Sequence, residues 1–412
     1  MKGFLGFCTA VLATLAVLLA ISAGCIGGPE TVADHDLVVV KLAPDGATQW
    51  TRIIDTGEDD GAEDLVELPD GGFGIAARNG SDARGPARPR LVRLSPDGAV
   101  LWDRFVTDGF DIARVVVPAG DGGTAVLTGN GTVVRFDTAG QVRWSRSTGI
   151  SEAQALRQLA DGGYVAGGRV TYRTATNITP PPVPGASAVT ITASTSAGGE
   201  GMATRLSADG VVLWERRYGE SGLVGVLALA ESPDRAGLLL AGDGTMPNAS
   251  AGTPLLALPL DTAGTPGTVT QLGTVPLSDP VWIRSDPAGY RVLYQNTSLA
   301  ARIAAPRGVV DATLDRDGRV LDRQPIDASI AVTWTADGGY FSVGIPSGGG
   351  EPGYGTATSD RTSVSALHAR RLDSAGTPVW ERALPTGLLS RVLKVVQTSD
   401  GGFAVLALRD TG

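Results

Sequence analysis

Two tight turns alternate along this 412-residue chain and recur often enough to dictate its architecture. One is of the Asp-Gly type, at Asp45-Gly46, Asp97-Gly98, Ala139-Gly140, Asp209-Gly210, Ala263-Gly264, Asp317-Gly318 and Ala375-Gly376, each after a short apolar run such as LVVVKL. The other reads Asp70-Gly71-Gly72-Phe73, Asp121-Gly122-Gly123-Thr124, Asp161-Gly162-Gly163-Tyr164, Asp337-Gly338-Gly339-Tyr340 and Asp400-Gly401-Gly402-Phe403, with decayed copies at Asp234 and Asp286. Asp-Gly and Gly-Gly supply the positive φ that tight hairpins require. Neighbouring copies lie roughly 40 to 73 residues apart, the short intervals matching one four-stranded blade and the long ones containing insertions. Helical periodicity is absent after the first thirty or so residues. The fold class is all-β: a seven-bladed β-propeller of four-stranded blades.

With strands A and B flanking the Asp-Gly-Gly turn and C and D flanking the Asp-Gly turn, blades begin near Ala62, Ile112, Ala153, Val224, Val281, Ile330 and Val392. The mature chain then opens on a C and D pair and closes on an A and B pair. Those halves are expected to form one composite blade, a 2+2 closure that leaves no long exposed sheet edge. Domains are assigned as 1–24, a signal peptide; 25–35, a lipid-anchored linker; and 36–412, the propeller, with insertions near 171–200 and 347–363.

Four residues past the turn glycine stand Trp50, Trp102, Trp144, Trp214 and Trp380, with Thr268 and Asp322 in the two remaining repeats. Each ring removes roughly 150 to 250 Å² from water. Ring symmetry spreads equivalent positions around a circumference, so these tryptophans are structural wedges between blades and not a converging aromatic cage. Arg52, Arg104, Arg146, Arg216 and Arg382, two residues on and on the same strand face, are expected to flank the indoles.

The Ser399-Asp400-Gly401-Gly402-Phe403 string and the Leu-x-x-x-Gly-x-x-x-Trp runs resemble the secreted and lipid-anchored propeller repeats of microbial surface proteins. They are also similar to the tryptophan-docking repeats of quinoprotein dehydrogenases and of the outer-membrane assembly lipoprotein. In the quinoprotein enzymes the resemblance implies a cofactor over the ring, with calcium, carboxylates and often a vicinal disulfide. This chain has no cysteine after Cys25, so no disulfide and no cysteine-metal chemistry is available to the domain. No cofactor and no metal site is assigned.

At the N-terminus an uncharged apolar stretch follows Lys2 and runs into Ser22-Ala23-Gly24-Cys25. It resembles a lipoprotein signal peptide with Cys25 as the lipidated first mature residue. The alternative is an uncleaved anchor, since about 20 apolar residues span a bilayer. Either way the expected location is the extracytoplasmic face of the membrane.

All five asparagines begin N-x-S/T sequons: Asn79, Asn130, Asn177, Asn248 and Asn296. Sequons mark exposed loops of secreted proteins, and none has an acidic residue two positions earlier. With the lipobox this pattern resembles an archaeal cell-surface lipoprotein. By the strand assignment all five lie at or just after the end of strand B, on the face opposite the hairpins. Thr179 to Glu200 is rich in Pro, Ser, Thr and Gly and reads as a mobile excursion with a short hairpin around Val189 to Ala193.

Catalytic chemistry is sparse. Of two histidines, His35 lies in the linker and His368 in a C strand, which does not support an imidazole-based site. Asp315-Arg316-Asp317-Gly318 lacks the distal Glu of a calcium loop. Glu67, Gln158, Glu231 and Gln397 share one place before their A-to-B turns and read as a repeat feature that could form a polar ring. The net charge of -9 argues against nucleic acid. The expected role is a tethered binding or structural module, monomeric, holding an envelope protein or a glycan. The alternative is a quinoprotein-like or glycan-active propeller enzyme, the latter requiring paired carboxylates.

Overall fold

The computed structural model describes residues 34–80, 86–109, 111–178, 191–245, 253–275, 281–295, 309–326, 331–344, 367–384 and 389–411. Their strands form seven four-stranded antiparallel sheets. Blade one holds β3 (Asp60–Glu67), β4 (Phe73–Asn79), β5 (Arg88–Leu94) and β6 (Val100–Phe105). Blade two holds β7 (Ala113–Pro118), β8 (Thr124–Thr128), β9 (Thr132–Phe136) and β10 (Val142–Ser147). Blade three holds β11 (Glu152–Gln158), β12 (Tyr164–Ile178), β13 (Ile191–Leu206) and β14 (Val212–Arg217). Blade four holds β15 (Ala228–Glu231), β16 (Gly237–Asp243), β17 (Thr253–Asp261) and β18 (Thr270–Val275). Blade five holds β19 (Trp282–Asp286), β20 (Gly289–Gln295), β21 (Val309–Leu314) and β22 (Val320–Ile326). Blade six holds β23 (Ala331–Trp334), β24 (Tyr340–Gly344), β25 (His368–Leu372) and β26 (Pro378–Ala383).

Blade seven combines both ends of the chain. Its order is β2 (Thr48–Ile54), β1 (His35–Leu42), β28 (Phe403–Asp410), β27 (Arg391–Gln397). The β1–β28 ladder runs from His35 against Asp410 to Leu42 against Phe403, so the 2+2 closure expected from the sequence is present.

The core is not one centre but seven apolar layers among the described residues, one at each seam between blades. Strand β1 shows why. Leu37 and Val39 pack toward blade one with Leu65 and Ile75, while Val38, Val40 and Leu42 pack toward blade six with Phe341 and Val343. Side chains alternate across a strand, so an inner strand apolar at every position feeds both of its neighbours. The D strands lie at the rim and are largely exposed.

The five repeated tryptophans join blades at that rim. Each indole N–H donates to a backbone carbonyl in the next blade's C-to-D turn: Trp50 to Pro96, Trp102 to Thr138, Trp144 to Ala208, Trp214 to Thr262 and Trp380 to Pro44, all at 3.0–3.1 Å. The turn glycine beneath admits no side chain: a Cβ on Gly98, at φ 80°, would sit 2.7 Å from the Trp50 ring. Arg52 and Arg146 donate to the carbonyls of Gly98 and Gly210. All five rings are half-buried, so they are rim clasps and contribute less to the core than fully buried wedges. In blades four and five, without this Trp, Pro259 packs on Gly318 and Gln324 donates to the Ser374 carbonyl at 2.9 Å.

Much of the stretch read as an excursion is strand: β12 and β13 continue their ladder from Thr171 against Gly199 out to Ile178 against Ile191, and no hairpin turn lies at Ile191–Ala193. Residues 179–190 lie outside the described residues.

Candidate binding surfaces

The A-to-B and C-to-D turns share one face, and two side-chain systems rigidify it. Within a blade, the Asp of the Asp-Gly-Gly turn pairs with a basic residue near the end of strand C: Asp70 with Arg93, Asp121 with Arg135, Asp161 with Arg205, Asp337 with Arg371 and Asp400 with Lys41. Burial alone would raise the Asp400 carboxyl. Hydrogen bonds from Lys41, Thr398 and the Gly402 N–H instead hold it down to about 2.

Between blades, the repeated Glu and Gln reach back to the preceding turn. Glu67 accepts from Ser399 N–H at 2.6 Å, Gln158 from Gly120 N–H at 3.0 Å, Glu231 from Ala160 N–H at 2.9 Å and Gln397 from Ala336 N–H at 2.6 Å. Trp334, in the same place in blade six, donates to Asp311 of blade five at 2.7 Å. The two remaining seams are joined by Arg93 to the Gly122 carbonyl and by Ser285 to the Glu231 carbonyl. These residues are inter-blade latches, which is more specific than a polar ring inherited with the repeat.

One cleft of about 300 Å³ opens on this face between blades three and four. Its lining includes Leu159, Asp161, Arg205, Glu231, Arg235 and Leu238. Both carboxylates are engaged, Asp161 by Arg205 and the Gly163 N–H, Glu231 by Ala160 N–H. Neither is placed as a free acid or base across the cleft.

The opposite face carries the B-to-C and D-to-A connections. At the seam of blades seven and one it gathers His35, Asp36, Asp55, Asp59 and Asp60, with Arg90 and Arg409. His35 Nδ1 lies 2.8 Å from Asp59, Arg409 pairs with Asp36, and Arg90 pairs with both Asp60, at 2.8 Å, and Asp103. One oxygen from each of Asp36, Asp55 and Asp60 falls within 4.8 Å of the others. An opening of about 300 Å³, lined by Asp59, Asn79, Pro86 and Arg88 among others, adjoins this cluster.

Asp60 is the outlier of that cluster. Its side chain is 0% exposed, and burial pushes its carboxyl up to about 6 despite hydrogen bonds from Thr56 and the partial claim of Arg90. The folded state therefore binds this proton more tightly than the unfolded state, whose carboxyl titrates near 3.8. Stability falls as pH rises from about 4 to about 6, by on the order of 3 kcal/mol at about 1.4 kcal/mol per pH unit. Asp400 has the opposite sign: its contribution is present above about 4 and is lost as pH falls toward 2. Urea melts of the wild type and Asp60→Asn across pH 4 to 7 are expected to diverge, the variant lacking the decline between pH 4 and 6. Parallel profiles over that range would show that Asp60 does not carry it.

Of the residues singled out in the sequence, Asn79 ends β4 and its Nδ2 donates to Thr56 Oγ1 at 3.1 Å. Asn130 is exposed in the β8–β9 turn, where its Oδ1 accepts from Thr132 Oγ1 at 3.0 Å. Asn177 is the penultimate residue of β12. Cys25, Asn248 and Asn296 lie outside the described residues. The two histidines are apart: His35 opens β1 and His368 pairs with Glu381 at 2.6 Å in blade six. Asp315 accepts from the N–H groups of Asp317 and Arg319 and so builds its turn. Among the described residues no helix is long and apolar enough to cross a membrane.

No protein-family model and no curated protein matches the chain. Among solved structures it is similar to BamB from Moraxella catarrhalis, at TM-score 0.41 and 14% identity over 90% of this chain and 91% of that one. It is likewise similar to the Dos1 propeller, at 0.45 and 11% over 89% and 80%, and to the WD40 β-propeller domain of Doa1, at 0.47 and 12% over 85% and 94%.

Proposed function

We propose that this chain is a membrane-tethered, extracytoplasmic propeller that acts as a binding module at the cell envelope, presenting its hairpin face to a protein or glycan partner. The observation that carries this reading is the division of labour between the two faces. Asp34, where the chain enters, accepts from the backbone N–H and hydroxyl of Thr411, on the same face as Asn79 and Asn130. A lipid on Cys25 and sugars on the asparagines then occupy one side of the disc. The other side is left free, with its blades cross-latched at every seam and both carboxylates of its cleft engaged. A rigid face with spent acids suits recognition and not glycoside hydrolysis, which needs a free carboxyl pair.

Two measurements test the reading. In cells that make the protein, Cys25→Ala is expected to move it from the membrane to the soluble fraction, and mass spectrometry of the native protein is expected to find added hexose mass at the sequon asparagines. Retention of Cys25→Ala in the membrane with five bare asparagines would refute lipid anchor and decoration together. For the binding face, the domain has no thiol of its own, so single cysteines at exposed Asp209 and Ser151 accept a photo-cross-linker cleanly. Partner adducts are expected from the Asp209→Cys side, in a hairpin turn, and not from Ser151→Cys, in a D-to-A connection. The reverse pattern would overturn the assignment of faces.

A further inference from the structure

We infer that the cleft between blades three and four is a recognition site for a carboxylate carried on an acidic peptide segment, with Arg235 as the cation that meets it. This rests on the reading that the hairpin face binds a partner and adds what is bound there. Three independent features of blade four converge on that cleft.

The first is backbone. Arg235 is the only non-glycine residue with positive φ among the described residues, at 60°. Its N–H donates to the Ser232 carbonyl as Gly71 N–H donates to Leu68, so it fills the place that Gly71, Gly122, Gly162, Gly338 and Gly401 fill elsewhere. A bulky residue there is strained, and strain kept where glycine is the repeat's own solution points to a use for the side chain.

The second is charge. The strand C cations that face the other A-to-B turns, Lys41, Arg93, Arg135, Arg205 and Arg371, are locked onto turn aspartates, as Arg205 is onto Asp161. Arg235 is exposed, and no hydrogen bond or ion pair engages it among the described residues. The neighbouring turn acid, Asp234, is held by Ser232, the Ala236 N–H and Arg316 of blade five.

The third is room. Leu238 pairs with Leu260 as Phe73 pairs with Leu94 and Tyr340 with Leu372. Blade four therefore has an aliphatic side chain where blades one, three, five, six and seven have Phe73, Tyr164, Tyr290, Tyr340 and Phe403. The space an aromatic ring would take adjoins Arg205 and Leu159. A Glu or Asp side chain entering it meets an apolar floor for its methylenes and an uncommitted guanidinium for its carboxylate, and guanidinium matches carboxylate in a two-point fork.

Fluorescence anisotropy tests this with a labelled Glu-Leu repeat octapeptide, its Gln-Leu counterpart, and unlabelled succinate as competitor. The wild type is expected to bind the Glu peptide at least tenfold more tightly than the Gln peptide, with affinity falling as salt rises. Arg235→Gly is expected to lose that preference while melting at a higher temperature, because glycine relieves the turn; loss of binding then has no unfolding explanation. Arg235→Lys should retain part of the preference. Equal binding of both peptides, no binding of the Glu peptide by the wild type, or an unchanged preference in Arg235→Gly would overturn the site. Competition by succinate at the same concentration as unlabelled peptide would assign the cleft to a free organic acid and overturn the peptide. If Asp209→Cys still captures a partner in the Arg235→Gly background, the binding face stands and this site falls.

Discussion

A chain ending at Leu389 is expected to lose cooperative folding altogether, and not merely one blade. The deletion removes β27 and β28, and with them the ladder that pairs β1 from His35 to Leu42. It also removes apolar side chains from two seams at once: Phe403, Val405, Val392 and Val395 from the seam with blade six, and Ala404, Leu406 and Leu408 from the seam with blade one. At about 1.5 to 3 kcal/mol for each large side chain buried, the loss equals or exceeds the roughly 5 to 15 kcal/mol that holds a domain folded. The clasp from Trp380 to the Pro44 carbonyl and the latch from Gln397 to Ala336 lose their support or disappear. Hydrogen exchange in blade three, across the ring from the break, is the discriminating readout. Protection there is expected to collapse with the rest; an open array in which each blade depends only on its neighbours would keep it, and that result would show that closure is not what sets the disc's stability.

The ring was legible in the sequence because positive-φ turns are written in glycine. All seven glycines of the first turn, Gly46, Gly98, Gly140, Gly210, Gly264, Gly318 and Gly376, lie at φ 76° to 86°, and alternation of apolar residues between them fixes the strands. The register of Trp50, Trp102, Trp144, Trp214 and Trp380 announced a repeated contact, but not its depth. A strand's rim position follows from its order in the sheet, which the pattern of one strand does not carry, so the register predicts wedges between blades and leaves open that they are half-buried rim clasps. The β12–β13 extension carries little signal for a related reason: Thr, Ser, Ala and Gly give little apolar alternation, so a two-stranded arm built of them looks like a loop.

The site was less legible. Glu67, Gln158, Glu231 and Gln397 were visible as a repeated position, yet their role depends on which blade follows which, and an acceptor three residues before a turn means nothing until the neighbouring turn's N–H groups are placed. The basic partners Lys41, Arg93, Arg135, Arg205 and Arg371 carried a usable signal, one cation just before the last apolar residue of each C strand, with Pro259 and Thr313 as the exceptions. Arg235 had a sharper one. A decayed Asp-Gly-Gly turn with arginine in the first glycine's place asks the backbone for a conformation arginine resists, and such local conflict is where functional sites are expected. The buried charge of Asp60 had no sequence signal at all, since Asp59-Asp60 reads as an exposed acidic loop until the two ends of the chain are brought together over it.

Trp380→Ala is expected to cost about 3 to 4 kcal/mol, more than Trp102→Ala at about 2 to 3, although the two tryptophans are equivalent in the repeat. Trp380 lies against a stacked pair: its ring centroid is 5.9 Å from Phe403 and 6.2 Å from Phe341, and those rings are 4.0 Å apart at 10°. Among the described residues Trp102 has one aromatic neighbour, Phe136, at 6.3 Å. Each aromatic pair adds about 0.5 to 1.5 kcal/mol beyond area, and Trp380 closes the seam between blade six and the composite blade, touching both halves of it at Pro44 and Phe403. Both rings are half-buried, so water fills part of the space left by alanine and the cost stays below that of a sealed cavity. Trp380→Phe separates the contributions: it keeps the ring stack and deletes the N–H donated to Pro44, a loss of about 1 kcal/mol. Urea unfolding of the three variants measures the order directly. Equal losses at Trp380 and Trp102 would mean that the aromatic stack adds nothing and that all five clasps act alike, whereas the larger loss at Trp380 identifies the composite blade as the place where the ring is held shut.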